Sequence, residues 1–355
     1  MKKIVCFLII AIATLFFLEL ILRILSVFPS NSALVANDPV TGYRMRPGIS
    51  INNFTVNSHG FMDVKRTHNK QDGYTRIAFI GDSFVIGLVP FEKNFTSVIK
   101  NFADRSAIKT EVLNTGIIGA DPRMYSALIN NYATSMNVDI VCVVFYVGND
   151  ITQSHPDFKS SSLFGTVMQN LRKPYLIGFS KEYCYVYRAL RALNRYVRHR
   201  YFDKSHEGMY SPETFLSIKY RRLVNFKIKK NSFMRTCYKE AIKNLLLMAQ
   251  DARNNNMEFF VVLAPDELQV NADLRTALEK KYRIKTHEYD FDQPQDIIAK
   301  QLKRNGIKVL NLLPVLKGRS SSDSLYIKND THWNEEGNYV VAEHIWPFII
   351  THFFE

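Results

Sequence analysis

The sequence predicts a doubly wound α/β domain, a three-layer α/β/α sandwich around a mainly parallel five-stranded sheet. Three observations predict it. Short apolar runs alternate with helix-length amphipathic stretches. The runs are nearly continuous rather than alternating, as in strands buried on both faces. Most stop in a polar loop, where an open α/β sheet builds its sites. The 355 residues, 46% of them apolar, suffice for one large domain with an insertion and exclude a disordered or collagenous chain.

The first strand is expected over Arg76–Ile80 and is followed by a helix over Phe91–Phe102. A second strand over Glu111–Asn114 leads to a helix over Pro122–Thr134, with Pro122 suited to the first turn. The third strand, Asp139–Tyr146, is apolar almost throughout. The pattern then breaks for a basic, aromatic stretch with expected helices at Tyr185–Tyr201 and Thr214–Met234. It resumes with helix Tyr238–Asn254, strand Glu258–Leu263, helices near Ala272–Lys281 and Gln293–Asn305, and strand Lys308–Leu310. A last helix begins at Glu335 behind Asn334, reaches about Ile345 and continues past Pro347 only against proline chemistry. The expected organisation is an N-terminal anchor (1–28), a lead-in of loop and edge strand (29–75), a catalytic domain (76–154 and 236–355) and a basic helical insertion (155–235).

Ile4–Leu25 is apolar apart from Glu19 and Arg23, which lie four apart on one helical face and can pair. About 22 residues at ~1.5 Å each span ~33 Å, the thickness of a bilayer core. Lys2 and Lys3 precede it and no Lys or Arg follows until Arg44, so the N-terminus is expected in the cytoplasm and the rest outside it. A cleaved signal peptide fits poorly, because its best site, after Ala36, has Leu34 at minus three.

The net charge is +13, and His155–Lys239, with about eighteen Lys/Arg against about five Asp/Glu, carries essentially all of it. Solvated helix faces explain such a stretch most simply; a surface facing anionic lipid or another polyanion is the sharper reading. Nucleic acid is not expected as a partner, since an extracytoplasmic chain does not meet it. Four cysteines and nine histidines show no ligand spacing, so neither a metal nor another cofactor is expected. Cys142 reads as a buried structural thiol, while Cys184 and Cys237 could pair in an oxidising compartment. Asn-x-Thr triplets occur at Asn53, Asn94 and Asn329, the last inside the segment expected to be catalytic. A glycan there would obstruct substrate, which favours a bacterial envelope over a eukaryotic secretory route.

Four strand-following segments carry the chemistry. Gly81-Asp82-Ser83-Phe84 presents a hydroxyl at the end of the first strand. A serine hydroxyl is a poor nucleophile until a base takes its proton. His332, in Asn329-Asp330-Thr331-His332-Trp333-Asn334, is the candidate base, with Asp330 placed to hold its tautomer. The glycine loop Asn114-Thr115-Gly116-Ile117-Ile118-Gly119 and the segment Gly148-Asn149-Asp150 offer a backbone N–H and a side-chain amide. With the Ser83 N–H they make three donors for an oxyanion.

On these residues the chain resembles the SGNH/GDSL hydrolase superfamily, over nearly everything after the anchor. The resemblance implies a flavodoxin-like fold, Ser83 as nucleophile, His332 as base, and Ser83, Gly119 and Asn149 as the oxyanion hole. Val56-Asn57-Ser58-His59-Gly60-Phe61 is similar to the Asn-Ser-x-Gly-Phe segment of membrane-anchored bacterial members. Many family esterases place the acid three residues before the histidine, where this chain has Asn329; here Asp330 is two before. That spacing, with Thr-His-Trp-Asn, resembles the polysaccharide O-acetyltransferase branch that includes the alginate-acetylation proteins. Asp82 and Trp333, next to nucleophile and base, are expected to bind substrate.

The expected activity is a serine-dependent esterase or deacetylase acting on an extracytoplasmic, carbohydrate-linked ester. The alternative is an O-acetyltransferase that modifies an envelope polysaccharide and takes its acyl group from a membrane partner. A non-catalytic, glycan-binding scaffold is the reading from outside enzymology.

Overall fold

The computed structural model describes residues 7, 10, 13–21, 34–51, 54–158, 209–319 and 325–355. The strands, in chain order, are β1 (Val35–Asp38), β2 (Gly42–Met45), β3 (Ser50–Ile51), β4 (Phe54–Thr55), β5 (Thr75–Ile80), β6 (Thr110–Asn114), β7 (Ile140–Tyr146), β8 (Glu258–Ala264) and β9 (Lys308–Asn311). The main sheet has five strands in the order β6-β5-β7-β8-β9, and every pairing in it is parallel. Every residue of β6 and β7 is buried; β7 reads as a continuous apolar run, while β6 carries Glu111, which pairs with buried Arg76.

Parallel neighbours need crossovers, and right-handed crossovers decide which face each helix covers. Helix Phe95–Arg105, between β5 and β6, packs beside the last helix, Glu335–Phe353. Together they bury Ile77, Phe79, Cys142, Val144, Phe260 and Val262 on one face of the sheet. Helices Pro122–Leu128, Ser232–Asn254 and Gln293–Arg304 follow β6, β7 and β8 after the winding direction has reversed, and form the opposite layer. The switch in direction lies between β5 and β7, where an open α/β sheet opens its crevice.

The elements differ from the sequence expectation in five places. The lead-in contributes no edge strand to the sheet; it forms two antiparallel hairpins, β1–β2 and β3–β4. Asp38 drives the first, its carboxylate accepting from the Val40 and Thr41 N–H groups and the Thr41 hydroxyl. The expected helix from Phe91 is broken at Asn94, which is extended (ψ 143°) and caps Phe95–Arg105 through the Thr96 N–H. The helix from Pro122 is α-helical only to Leu128 and then widens into a π turn over Ile129–Ala133. The stretch 214–234 holds two helices, Pro212–Arg222 and the start of Ser232–Asn254, because Lys227 bridges to Tyr289 and Asn231 opens the second. The last helix runs through Pro347 to Phe353, since Ile345, Trp346 and Ile349 stay buried on the sheet and outweigh one lost backbone hydrogen bond.

Residues 35–75 and the described part of the insertion, 209–235, belong to the same compact unit as the sheet. Of the expected anchor, 13–21 are helical; the rest of 1–28, apart from residues 7 and 10, lies outside the described residues, as do 159–208 with the expected helix Tyr185–Tyr201 and Cys184. No helix among the described residues is long and apolar enough to cross a membrane. Cys142 and Cys237 are buried free thiols.

Two features of the body bear on the site. The lead-in packs Met45, Val56 and Met62 against Ile86, and the Tyr43 hydroxyl donates to Ile118 O at 2.9 Å. Buried Asn94 and Asn114 donate side-chain N–H groups to Val85 O (3.1 and 2.7 Å), and Asn94 also donates to Ile86 O (2.6 Å). The turn that carries Ser83 is therefore held at its far end by two amides. Asn94→Ala removes the donor to Ile86 O, leaves Val85 O to Asn114 alone and removes a helix cap; it is expected to destabilise the protein by about 2 kcal/mol, read from chemical unfolding.

Candidate active site

Ser83 follows β5 after the two residues Gly81 and Asp82 and opens a single helical turn, Ser83–Ile86. Asp82 caps it, Oδ1 accepting from the Phe84 N–H at 2.9 Å. Between buried Asp82 and buried Phe84, Ser83 is the partly exposed residue, so the hydroxyl faces the crevice. Its oxygen lies 2.8 Å from His332 Nε2.

His332 is delivered by a turn just before the last helix. The Ile327 N–H donates to His332 O (2.9 Å) and the Asp330 N–H to Ile327 O (3.0 Å), folding the chain back on itself. Asn329 takes the left-handed corner (φ 54°), a conformation asparagine tolerates. The fold-back puts Asp330 Oδ1 2.5 Å from His332 Nδ1, so the acid facing the imidazole is two residues upstream, and position 329 serves the turn. With Nδ1 donating to the carboxylate, Nε2 is left to accept from Ser83.

Burial works to raise the Asp330 carboxyl, but the hydrogen bond and charge of His332, with the Thr331 and His332 N–H groups, outweigh it and hold it below the usual carboxylate range. A carboxylate depressed in the native state adds stability above its unfolded value of about 4, lost as pH falls through the lower native value. Acid unfolding of Asp330→Asn is expected to lack that component, giving a flatter profile below pH ~4.

The two loops expected to supply donors flank this pair. Asn114–Gly119 crosses the end of β5: the Thr115 N–H donates to Phe79 O (3.0 Å) and the Ile117 N–H to Gly81 O (3.1 Å). Gly116 lies so close to the nucleophile turn that a Cβ there would sit 2.5 Å from the Ile86 N. Gly119 is left-handed (φ 68°), partly exposed, and its N–H meets no backbone acceptor among the described residues. Asn149 follows β7 and is likewise the partly exposed residue between buried Gly148 and Asp150. Its Nδ2 donates to Asp82 Oδ2 at 3.0 Å.

Two expectations need correction. Trp333 is 1% exposed and meets Phe84 and Phe95 edge to face, so it is core and has no surface for substrate. Its indole fills the space under the nucleophile turn. Asp82 is also 1% exposed, with both oxygens engaged inside the protein, so it binds no substrate either.

Sequence reasoning missed a buried ionic cluster beside the site. Asp266, in the loop after β8, meets Lys219 Nζ at 2.9 Å, Arg222 at 3.0 Å and the Tyr146 hydroxyl. Burial would raise Asp266, but the Lys219 and Arg222 charges dominate jointly and drive it far below the carboxylate range. Tyr146 in turn stacks on Phe84 (3.9 Å between centroids), and Phe84 lies against the His332 ring (5.2 Å). Asn225 donates to the Val147 and Gly148 carbonyls, both at 3.1 Å, and so braces the Asn149 loop. The end of the insertion is thus tied into the catalytic frame. The available signal was Asp266 itself, a carboxylate just past a strand end. Lys219 and Asp266 are both 0% exposed; Lys219→Met is expected to cost about 3–5 kcal/mol in urea unfolding, because a buried charge loses a partner.

Buried Asp150 accepts from the Tyr146 N–H (2.9 Å) and from the Tyr125 hydroxyl (3.2 Å to each oxygen). Burial first, then the Asp82 charge, pushes it well above the carboxylate range. Among the described residues no group of three or more His, Cys, Asp or Glu could hold a metal ion.

A serine, an imidazole and a carboxylate in hydrogen-bonded series, with partly exposed donors on both sides, is an arrangement suited to acyl transfer. Residues 231–351 match the family model described as "SGNH hydrolase-like domain, acetyltransferase AlgX". Among solved structures, an acetyl xylan esterase, AlAXEase, is 12% identical with a TM-score of 0.43, the match covering 78% of this chain and 100% of that one. A lipase/acylhydrolase from Enterococcus faecalis is 11% identical with a TM-score of 0.42, covering 78% and 95%. A GDSL-like lipase from Bacteroides thetaiotaomicron is 12% identical with a TM-score of 0.38, covering 78% and 88%. No curated protein sequence matches the chain. The match to the SGNH hydrolase-like family model lies in the C-terminal part of the chain, the part that carries His332.

Proposed function

We propose that the protein is a serine-dependent acyl-ester enzyme that works through an acyl group on Ser83. The observation that carries this reading is the 2.8 Å contact between Ser83 Oγ and His332 Nε2, with Asp330 2.5 Å behind the ring. The Ser83 hydroxyl attacks the ester carbonyl as His332 takes its proton, and Asp330 steadies the imidazolium. The oxyanion is held by the N–H groups of Ser83 and Gly119 and the Asn149 amide, each worth about 3–4 kcal/mol in the transition state. His332 then returns the proton to the leaving alkoxide, the C–O bond breaks, and an alcohol departs. A second oxygen nucleophile, deprotonated by His332, releases the acyl group. With water it is an esterase or deacetylase of an extracytoplasmic, carbohydrate-linked ester.

A sugar hydroxyl in place of water makes the same machinery an O-acetyltransferase. The match of 231–351 to an acetyltransferase-like domain favours this second reading, in which a membrane partner supplies the acyl group. The apolar run Ile4–Leu25, flanked by Lys2 and Lys3, supports an N-terminal anchor that leaves the catalytic body outside the cytoplasm.

The test is labelling by a serine-reactive fluorophosphonate, with the modified peptide located by mass spectrometry. The expected adduct is on Ser83; no adduct, together with no Ser83-dependent turnover of any small acyl ester, sinks the enzyme reading in favour of a scaffold. Following free acetate with and without an oligosaccharide acceptor divides the outcomes. Acetylated sugar formed at the expense of acetate identifies transfer.

A further inference from the structure

We propose that Asp82 is a positioning residue of the oxyanion hole: its buried carboxylate holds the Asn149 amide so that one N–H is fixed and the other is aimed at the reacting oxygen. The role in rate rests on the acyl-ester reading above; the geometry does not.

A primary amide carries two N–H bonds in one plane, about 120° apart, so fixing the direction of one fixes the other. Asn149 Nδ2 spends one of them on Asp82 Oδ2 at 3.0 Å. Its Oδ1 is buried and has no hydrogen-bond partner among the described residues, so the carbonyl side does nothing to orient the amide. Asn149 carries no side-chain cap to its own helical turn, Asp150–Gln153. The orientation of the amide therefore depends on Asp82.

Asp82 is suited to that task. Its other oxygen, Oδ1, accepts from the Phe84 N–H at 2.9 Å, so the carboxylate is pinned to the backbone on the far side of Ser83. Water does not compete, because the side chain is buried. The two segments come from adjacent strands, β5 and β7, paired at Ile80–Val143 just before the loops begin. One carboxylate thus references both the turn that carries the nucleophile and the amide that meets the oxyanion. A carboxylate buried at this depth costs free energy, and a neutral cap would serve the turn alone. The second hydrogen bond gives the charge a use.

The test is a double-mutant cycle with Asp82→Asn and Asn149→Ala on a small acetyl ester. Asp82→Asn keeps an oxygen for the Phe84 N–H but sets one NH2 against another. It is expected to lower kcat about 10–100-fold with KM within about twofold, less than the ~10²–10³ lost when a donor is removed outright. In the Asn149→Ala background it should cost less than about twofold more. Losses that multiply would mean Asp82 acts only as a cap, and overturn the proposal.

The second readout needs no turnover: the side-chain amide resonances of Asn149, recorded in the Ser83→Ala chain with and without Asp82→Asn. They are expected to move on loss of the carboxylate; unchanged resonances overturn the proposal. If the acyl-ester reading fails instead, wild-type turnover is absent while the resonances still move. Should Asp82→Asn not fold, Asp82→Ser keeps a capping oxygen, removes the acceptor opposite Asn149, and carries the same two comparisons.

Discussion

Replacing Ser83 with alanine is expected to lower ester turnover by about 10⁶-fold, the loss found when the nucleophile of a serine triad is removed. So large an effect follows from the absence of a substitute. The residues on either side, Asp82 and Phe84, are buried, so no neighbouring group can take over the attack. A residual rate above the uncatalysed one should survive, because the Gly119 N–H and the Asn149 amide remain, and such donors alone retain about 10³–10⁴-fold over water. The fold should not notice. Ser83 is partly exposed and its Oγ meets the His332 ring, which water can satisfy. The thermal midpoint is expected to stay within about 3 °C, a shift worth roughly 2 kcal/mol in a chain of this size. Circular dichroism melts beside the kinetic assay check both halves. Ser83→Ala turnover within tenfold of wild type would mean the hydroxyl is not the nucleophile.

The second large effect belongs to Asp330. Asp330→Asn is expected to reduce kcat about 10⁴-fold, because an asparagine no longer favours the tautomer with its proton on Nδ1 and cannot stabilise the imidazolium. The loss should persist when Asn329→Asp is added. Position 329 is the left-handed corner of the turn, and the polar contacts of His332 Nδ1 come from Asp330 and Thr331. Restored activity in the double variant would show that an acid three residues upstream can serve.

The contrast between Asn329 and Asp330 also marks the limit of what the amino-acid sequence discloses. The sheet was legible because buried parallel strands are apolar along their whole length, and β7 is the extreme case. Ser83 and His332 were singled out because one lies just past a strand and the other just before a capped helix, and Gly119 and Asn149 were expected as donors on the same ground. Asp330 was named as the partner of the histidine from the sequence, but how it reaches the ring was not legible, since that depends on a fold-back between 327 and 332 that spacing alone does not fix. The hairpins escaped for another reason: β3 and β4 are two residues each, too short for any periodicity. Lys219 and Arg222 were hidden by their surroundings. In a stretch rich in Lys and Arg they read as solvated faces, and only Asp266, 47 residues beyond Lys219, shows that they are interior.

The burial of Asn94 has a practical side. Asn94-Phe95-Thr96 is an acceptor triplet for oligosaccharide transfer, a reaction that occurs on a chain entering the secretory pathway before it has packed. Once attached, a sugar tree could not follow the amide to Val85 O and Ile86 O. Chains so modified would be retained by quality control, while the same gene in a host whose export machinery lacks that transferase meets no such trap. Yield from a yeast or insect secretion system should therefore rise with tunicamycin, and the choice of host becomes a matter of protecting one buried amide.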